Sequence, residues 1–159
     1  MEKRVGIAGL TSMFKESVSS LPNGAIVAFT GSIAVCTPFA ELLAYAVKGR
    51  EFNLAYIPQA EASRARRMEW MEGVGFSVTR EKVSIGKVDA LVVLGGLAMP
   101  KFGQPVESVA SLIEMLGNPL VIGICFMSIF ERSGWVEKLP FDVIINADME
   151  VEASYPEKK

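Results

Sequence analysis

Two cysteines and one glycine pair are the residues of this chain best suited to chemistry. Cys125 directly follows the apolar run Leu120–Ile124 (LVIGI), and Phe126-Met127-Ser128 then leads into a short helical stretch. A thiol at a helix N-terminus has its thiolate stabilised and becomes nucleophilic. A free cysteine is more ordinarily a small buried hydrophobe, and that reading competes here. Gly95-Gly96 opens the loop Gly95-Gly96-Leu97-Ala98-Met99-Pro100-Lys101 after another apolar run. Paired glycines let a backbone approach a ligand closely, so their N–H groups can hold an anion or an oxyanion, with Lys101 adding charge. A plain strand-to-helix turn uses the same residues.

A third group is hydroxyl-rich. Thr30, Gly31, Ser32 and Thr37 precede a helical stretch, an arrangement of amides, hydroxyls and dipole that suits phosphate or carboxylate. Helix capping explains Thr37 equally well. No Walker A ending and no G-x-G-x-x-G is present. Arg64, Arg66 and Arg67 stand where a nucleotide-binding sheet contacts ribose or a second phosphate. A solvated helix face is the preferred reading for them, with Ala65, Met68 and Met71 turned inward.

Absences narrow the chemistry further. The 159 residues contain no histidine, which removes Ser-His-Asp and Cys-His catalysis, histidine zinc sites and histidine acid–base work. Two cysteines make neither a disulfide framework nor a cysteine-rich zinc site, and a redox pair between them is a minor possibility. Asp148, Glu150 and Glu152 alternate as an exposed strand would, so no metal site is expected. With a net charge of −2 and no basic tail, nucleic acid is not an expected partner.

Half of the residues are hydrophobic and the mean hydropathy is +0.33. Parallel strands covered on both faces produce such values, because they read as unbroken apolar runs. The uncharged stretch from Ser17 to Ala40 is interrupted by Pro22, Asn23, Gly24, Gly31 and Pro38, so it is not a spanning helix. Lys15 and Glu16 cut off the apolar Val5–Leu10, so no signal peptide is expected and the chain reads as cytoplasmic.

The elements that must position these residues follow from hydrophobic period and turn chemistry. Strands are expected at Ala25–Thr30, Asn53–Ile57, Phe76–Thr79, Asp89–Leu94, Leu120–Ile124 and Phe141–Asn146. Helices are expected from Pro38 to about Val47, from about Glu61 to Gly73, from Pro105 to Leu116, and over Ser128–Arg132. At the N-terminus a helix from about Thr11 is favoured over a strand at Val5–Leu10 or one helix over Val5–Ser20. Residues 1–10 and 150–159 are expected to be loosely ordered. The alternation gives one α/β domain over residues 1–159: a flavodoxin-like or Rossmann-like doubly wound, mostly parallel sheet of about five or six strands, with helices on both faces. Ligands of such sheets sit beyond the carboxyl ends of the strands. That rule selects the loops Thr30–Thr37, Pro58–Ser63, Gly95–Phe102 and Cys125–Ser128.

The stretch D-A-L-V-V-L-G-G-L at Asp89–Leu97, followed by a helix and N-P-L-V-I-G-I-C at Asn118–Cys125, resembles the core of the class I glutamine amidotransferase and DJ-1/PfpI superfamily. The likeness covers about a quarter of the chain. It implies a flavodoxin-like sheet, with Cys125 at the nucleophile position and Gly95-Gly96 at the oxyanion loop. Met127 stands where that superfamily carries a small residue, and the histidine partner of its hydrolytic members is missing, so glutaminase or protease activity is not expected. Along its whole length the chain also resembles a small uncharacterised family from methanogenic archaea, through T-S-M-F-K-E at Thr11–Glu16 and F-T-G-S-I-A-V-C-T-P-F at Phe29–Phe39.

Three readings follow. The first is a binding module that holds a small anionic ligand or cofactor of unspecified identity through Thr30, Gly31, Ser32, Thr37, Gly95, Gly96, Lys101 and Ser128. The second is a cysteine-elbow enzyme using Cys125 with backbone amides from Gly95-Gly96. The third is an assembly or maturation partner of another protein. A homodimer is compatible with each, and whether the chain is an enzyme stays open.

Overall fold

The computed structural model describes residues 1–159. In chain order the elements are α1 (Gly6–Ser17), β1 (Ile26–Gly31), α2 (Thr37–Ala46), β2 (Asn53–Pro58), β3 (Arg66–Met71), β4 (Gly75–Lys82), β5 (Ala90–Leu94), α3 (Val106–Met115), β6 (Leu120–Phe126), α4 (Ile129–Arg132) and β7 (Val143–Ala147). One seven-stranded sheet runs in the order β4-β3-β2-β1-β5-β6-β7. Strands β2, β1, β5, β6 and β7 are mutually parallel, while β3 is antiparallel to both β2 and β4. Renumbered among themselves, the five parallel strands follow the flavodoxin-like order 2-1-3-4-5. The mostly parallel α/β sheet expected from the sequence is therefore present, with seven strands rather than five or six.

Two cores explain the unbroken apolar strands. Side chains alternate across a strand, so Val27 and Phe29 enter the layer beneath α1 and α2 while Ala28 enters the layer beneath α3. Strand β5 divides the same way, with Ala90, Val92 and Leu94 on one side and Leu91 and Val93 on the other. Helix α1 contributes Leu10 and Phe14, and Val18 just past its end continues the i, i+4 stripe; Phe14 meets Phe29 with ring centroids 5.9 Å apart. On the opposite face Phe130 packs between Trp135 and Phe141. Gly123 leaves room for those rings, since a Cβ there would lie 2.7 Å from Phe141.

Two expected elements are corrected. Helix α1 begins at Gly6, not near Thr11, and the chain ahead of it is held by Arg4, which hydrogen-bonds Ser12 at 2.9 Å and Glu16 at 2.8 Å. The helix expected over Glu61–Gly73 is instead a single 3-10 turn at Ala62–Arg64 and the hairpin β3–β4. Ala65, Met68 and Met71 do recur at helical spacing, but the pairing of Met68 with Val78 and of Trp70 with Phe76 outweighs it. The indole and phenyl rings of that last pair meet edge-on at 5.6 Å. Gly73 (φ +77°) and Gly75 (φ +101°) supply the left-handed backbone of the turn. Arg66 and Arg67 consequently lie on a strand, not on a helix face.

Register is set at the amino edge by short polar side chains. The Ile26 N–H donates to Asp89 Oδ2 at 2.8 Å, and the Val121 N–H donates to Asp142 Oδ2 at 2.7 Å. Asn53 Nδ2 donates to the Gly24 carbonyl at 3.0 Å. Each of these residues stands at the start of β2, β5 or β7 and satisfies a neighbouring strand's terminal backbone group. The carboxyl edge is thereby left to its loops. No helix is long and apolar enough to cross a membrane.

The ring contact between α1 and β1 gives a direct check. Phe14→Ala is expected to lower unfolding stability by about 3–5 kcal/mol in denaturant titration, the range for truncating a buried phenylalanine.

Candidate functional site

Strand order reverses between β1 and β5: the chain leaves β1 toward β2 and leaves β5 toward β6. The connections after these two strands therefore run to opposite faces of the sheet, α2 on one and α3 on the other, and it is above such a point that a doubly wound sheet admits a ligand. The floor of that space is built from the sequence-selected residues. Gly31 closes β1 against Cys36, and a Cβ on it would overlap the Cys36 side chain and come within 2.9 Å of the Tyr56 hydroxyl. Gly96 faces the same cysteine, and a Cβ there would overlap Cys36 Sγ and lie 2.6 Å from Ser32 Oγ. Gly95 faces the other way, toward Cys125, whose Cβ would be 2.7 Å from an added methyl. The glycine pair is required for close approach rather than for positive φ, which neither residue has.

Most of the hydroxyls expected to meet a ligand are used internally. Thr30 is fully buried; its Oγ1 donates to the Ile57 carbonyl at 2.8 Å and accepts from the Ala60 N–H at 3.2 Å. Ser32 Oγ lies 3.2 Å from Cys36 Sγ, and its carbonyl accepts from the Tyr56 hydroxyl at 2.8 Å. Burial pushes that hydroxyl far up from its ordinary range, so Tyr56 remains a donor. Thr37 is the first residue of α2, with Cys36 in the cap position and no side-chain capping bond.

Above this floor lies an open cleft of about 550 Å³ lined by Ser32, Ile33, Gln59, Glu61, Arg64 and the turn Lys101–Gln104. Three loops contribute, those after β1, β2 and β5. The Gln59 carboxamide joins two of them by accepting the Ile33 N–H at 3.2 Å. Gly103 shapes the third: a Cβ there would overlap the carbonyl oxygens of Leu97 and Met99. Its own N–H donates to Met99 at 2.9 Å, and the Gln104 N–H donates to Leu97 at 2.8 Å, so the turn presents Lys101 and Phe102 outward. Lys101 has no carboxylate partner, and Arg64 has only a loose contact with Glu61 at 3.6 Å.

Cys125 and Ser128 belong to a separate cluster on the far side of Gly95. Cys125 is 1% exposed, with Sγ 3.5 Å from Asn146 Oδ1, and the Ser128 N–H donates to the same oxygen at 2.8 Å. Burial raises the thiol above its ordinary 9.0, against smaller lowering contributions from the amides of Phe130 and Ile129. The left-handed backbone that marks a nucleophile elbow falls at Met127 (φ +54°) and Ser128 (φ +56°), not at Cys125. No group of three or more His, Cys, Asp or Glu stands close enough to hold a metal.

Of the eight residues expected to hold one ligand, the structure places Ser32 and Lys101 in the cleft and Thr30, Gly31, Thr37, Gly95 and Gly96 beneath or beside it, whereas Ser128 lies outside it, with Cys125 and Asn146. Sequence reasoning missed Gln59, Glu61, Phe102, Gln104 and Asn146. Gln59, Glu61 and Phe102 lie in loops that the carboxyl-end rule had selected, so position was a usable signal for them. Arg64 was named as a ribose or second-phosphate contact, but the helix assigned to its segment made a solvated face the preferred reading.

With that geometry established, comparison with known proteins places the chain. Residues 5–150 match the model of a family described as an uncharacterized protein conserved in archaea (DUF2124). The chain belongs to that archaeal family. An uncharacterized protein of Methanothermobacter thermautotrophicus is 40% identical over 147 residues, covering 91% of each chain. A second, from Methanocaldococcus jannaschii, is 37% identical over 145 residues, covering 90% of this chain and 88% of the relative. A crystal structure of a protein of unknown function from M. thermautotrophicus superposes with a TM-score of 0.88 at 37% identity, over 98% of this chain and 97% of the other. The family and its methanogen members are those that the segments at Thr11–Glu16 and Phe29–Phe39 resemble.

The close approach at the switch point predicts an asymmetry between glycines of this family member. Gly96→Ala is expected to lower stability by about 1–3 kcal/mol through overpacking. Gly86→Ala, at a position with open space around it and no positive φ, is expected to leave the denaturation midpoint unchanged.

Proposed function

We propose that this chain is a binding protein for a small anionic molecule, held noncovalently in the cleft between the loops after β1, β2 and β5. The observation that carries this reading is the convergence of Arg64 and Lys101, from two loops, on one polar cleft at the reversal of strand order. Two cations stand there against one carboxylate, Glu61. Charge-assisted hydrogen bonds from guanidinium and ammonium groups are the stronger kind and favour phosphate or carboxylate.

Backbone conformation supports the same location. Six non-glycine residues have positive φ, and three of them, Ala34, Gln59 and Ala60, lie in the loops after β1 and β2 that build the cleft, while Met127 and Ser128 belong to the Cys125 cluster. Left-handed backbone at such residues is unfavourable and clusters at functional sites. Gln59 itself lines the cleft.

The alternative, a cysteine-elbow enzyme of the glutamine amidotransferase type, has one favourable observation, the approach of Asn146 to the Cys125 thiol. Burial weighs against it, because a thiol pushed up by desolvation is protonated and weakly nucleophilic at neutral pH.

Titration calorimetry with inorganic phosphate and pyrophosphate tests the cleft. Pyrophosphate is expected to bind more tightly, and Lys101→Ala and Arg64→Ala each to weaken it by about tenfold, the equivalent of about 1.4 kcal/mol. Affinity unchanged in both variants contradicts the proposal. Alkylation tests the cysteine: at pH 7 iodoacetamide is expected to modify Cys125 more slowly than a free thiol, with a rate that is still climbing at the pH where a free thiol's has levelled off. The sign for stability is the same. A thiol raised in the fold contributes stability that is present below the unfolded value near 9.0 and is lost as pH rises through the folded one.

A further inference from the structure

We infer that the anion taken by this cleft is a nucleoside monophosphate, an inference that rests on the anion-binding reading above. Inorganic phosphate needs cations and hydroxyls alone, and the cleft offers more. Phe102 and Ile33, from two different loops, stand 38% and 54% exposed at its walls. Phe102 is held outward by the tight turn at Gly103, so its exposure is built into the backbone. A flat aromatic face presented at a polar cleft is matched by a heterocyclic base, which stacks on it.

The carboxamides extend the argument. The Gln59 side-chain oxygen is taken by the Ile33 N–H, which leaves its NH₂ group free to donate. The Gln104 side chain makes no hydrogen bond within the protein and offers both a donor and an acceptor. Two such groups beside an aromatic wall can read the polar edge of a base.

Glu61 completes the pattern. A carboxylate inside an anion site repels the anion, unless the same ligand also carries hydrogen-bond donors. Vicinal sugar hydroxyls are such donors, and acidic residues in doubly wound sheets accept from them. The loose 3.6 Å contact with Arg64 leaves the Glu61 oxygens available. Two cations against one carboxylate suit one phosphate better than three.

The test compares AMP, GMP, CMP and UMP with ribose 5-phosphate by titration calorimetry, on the wild-type chain and on Phe102→Ala, Glu61→Gln and Lys101→Ala. Circular dichroism checks that each variant is folded. At least one nucleotide is expected to bind about tenfold more tightly than ribose 5-phosphate, a difference of about 1.4 kcal/mol. Phe102→Ala should abolish that advantage while leaving ribose 5-phosphate affinity within about twofold. Glu61→Gln should reduce the preference of that nucleotide over its 2′-deoxy form. If no nucleotide exceeds ribose 5-phosphate, or if the advantage survives Phe102→Ala, the nucleotide assignment is overturned. The anion reading still stands in that case, provided ribose 5-phosphate binds and Lys101→Ala weakens it about tenfold. If neither the nucleotides nor ribose 5-phosphate bind, both readings fall.

Discussion

The architecture depends on how closely the loops after β1 and β5 approach each other where the order of strands reverses. Gly95-Gly96 is the contact. One glycine seats against Cys125 and Ile129, the other against Cys36 and Ser32, and neither position has space for a methyl group. Interiors packed to crystal-like density tolerate no such addition without movement. Both cysteines are therefore explained first as small, apolar partners of glycine. Tyr56 locks the same region from the β2 side through the Ser32 carbonyl, while Thr30 ties the end of β1 to the chain beyond β2. This rigid floor fixes the positions from which Ser32, Gln59 and the Lys101–Gln104 turn rise.

The two edges of the sheet are built on different principles. At the amino edge Asn53, Asp89 and Asp142 satisfy neighbouring backbone groups, so strand starts are pinned by local hydrogen bonds. At the carboxyl edge the loops contain left-handed residues that are not glycine. The amino ends of the strands are closed by side chains. The loops around the cleft leave cations, amides and an aromatic ring turned toward solvent.

How legible was this in the sequence? The parallel strands were, because Ala90–Leu94 and Leu120–Ile124 are short apolar runs bounded by turn residues, and burial on both faces demands such runs. The glycine pair and its strand were legible for the same reason. Of the hairpin, β4 was legible at Phe76–Thr79, but β3 was not: Ala65, Met68 and Met71 fit a helical period, and the cross-strand pairing that overrides it leaves no trace in that period. Reading a helix there turned the preference for Arg64 toward a solvated face. Hydroxyls were easy to nominate by type, yet Thr30 turned inward, since a threonine at a buried strand end must satisfy its oxygen within the protein. Glutamine, glutamate and phenylalanine in a loop carry no spacing signal, so Gln59, Glu61 and Phe102 became visible only when the loops were brought together. The methanogen family was legible from two short segments. The order of strand, glycine pair and cysteine that resembles the amidotransferase core is not accompanied by an elbow, since the backbone at Cys125 is that of an ordinary strand.

The central claim is that three loops act as one anion-binding cleft, and amide chemical-shift mapping on the wild-type chain tests it most directly. On addition of pyrophosphate, the amides of Ser32, Ile33, Gln59, Glu61, Arg64 and Lys101–Gln104 are predicted to shift together along a single saturating curve, with those of Asn53, Asp89 and Asp142 unmoved. Shifts confined to one loop, scattered over the surface without saturation, or centred on the opposite edge would contradict it.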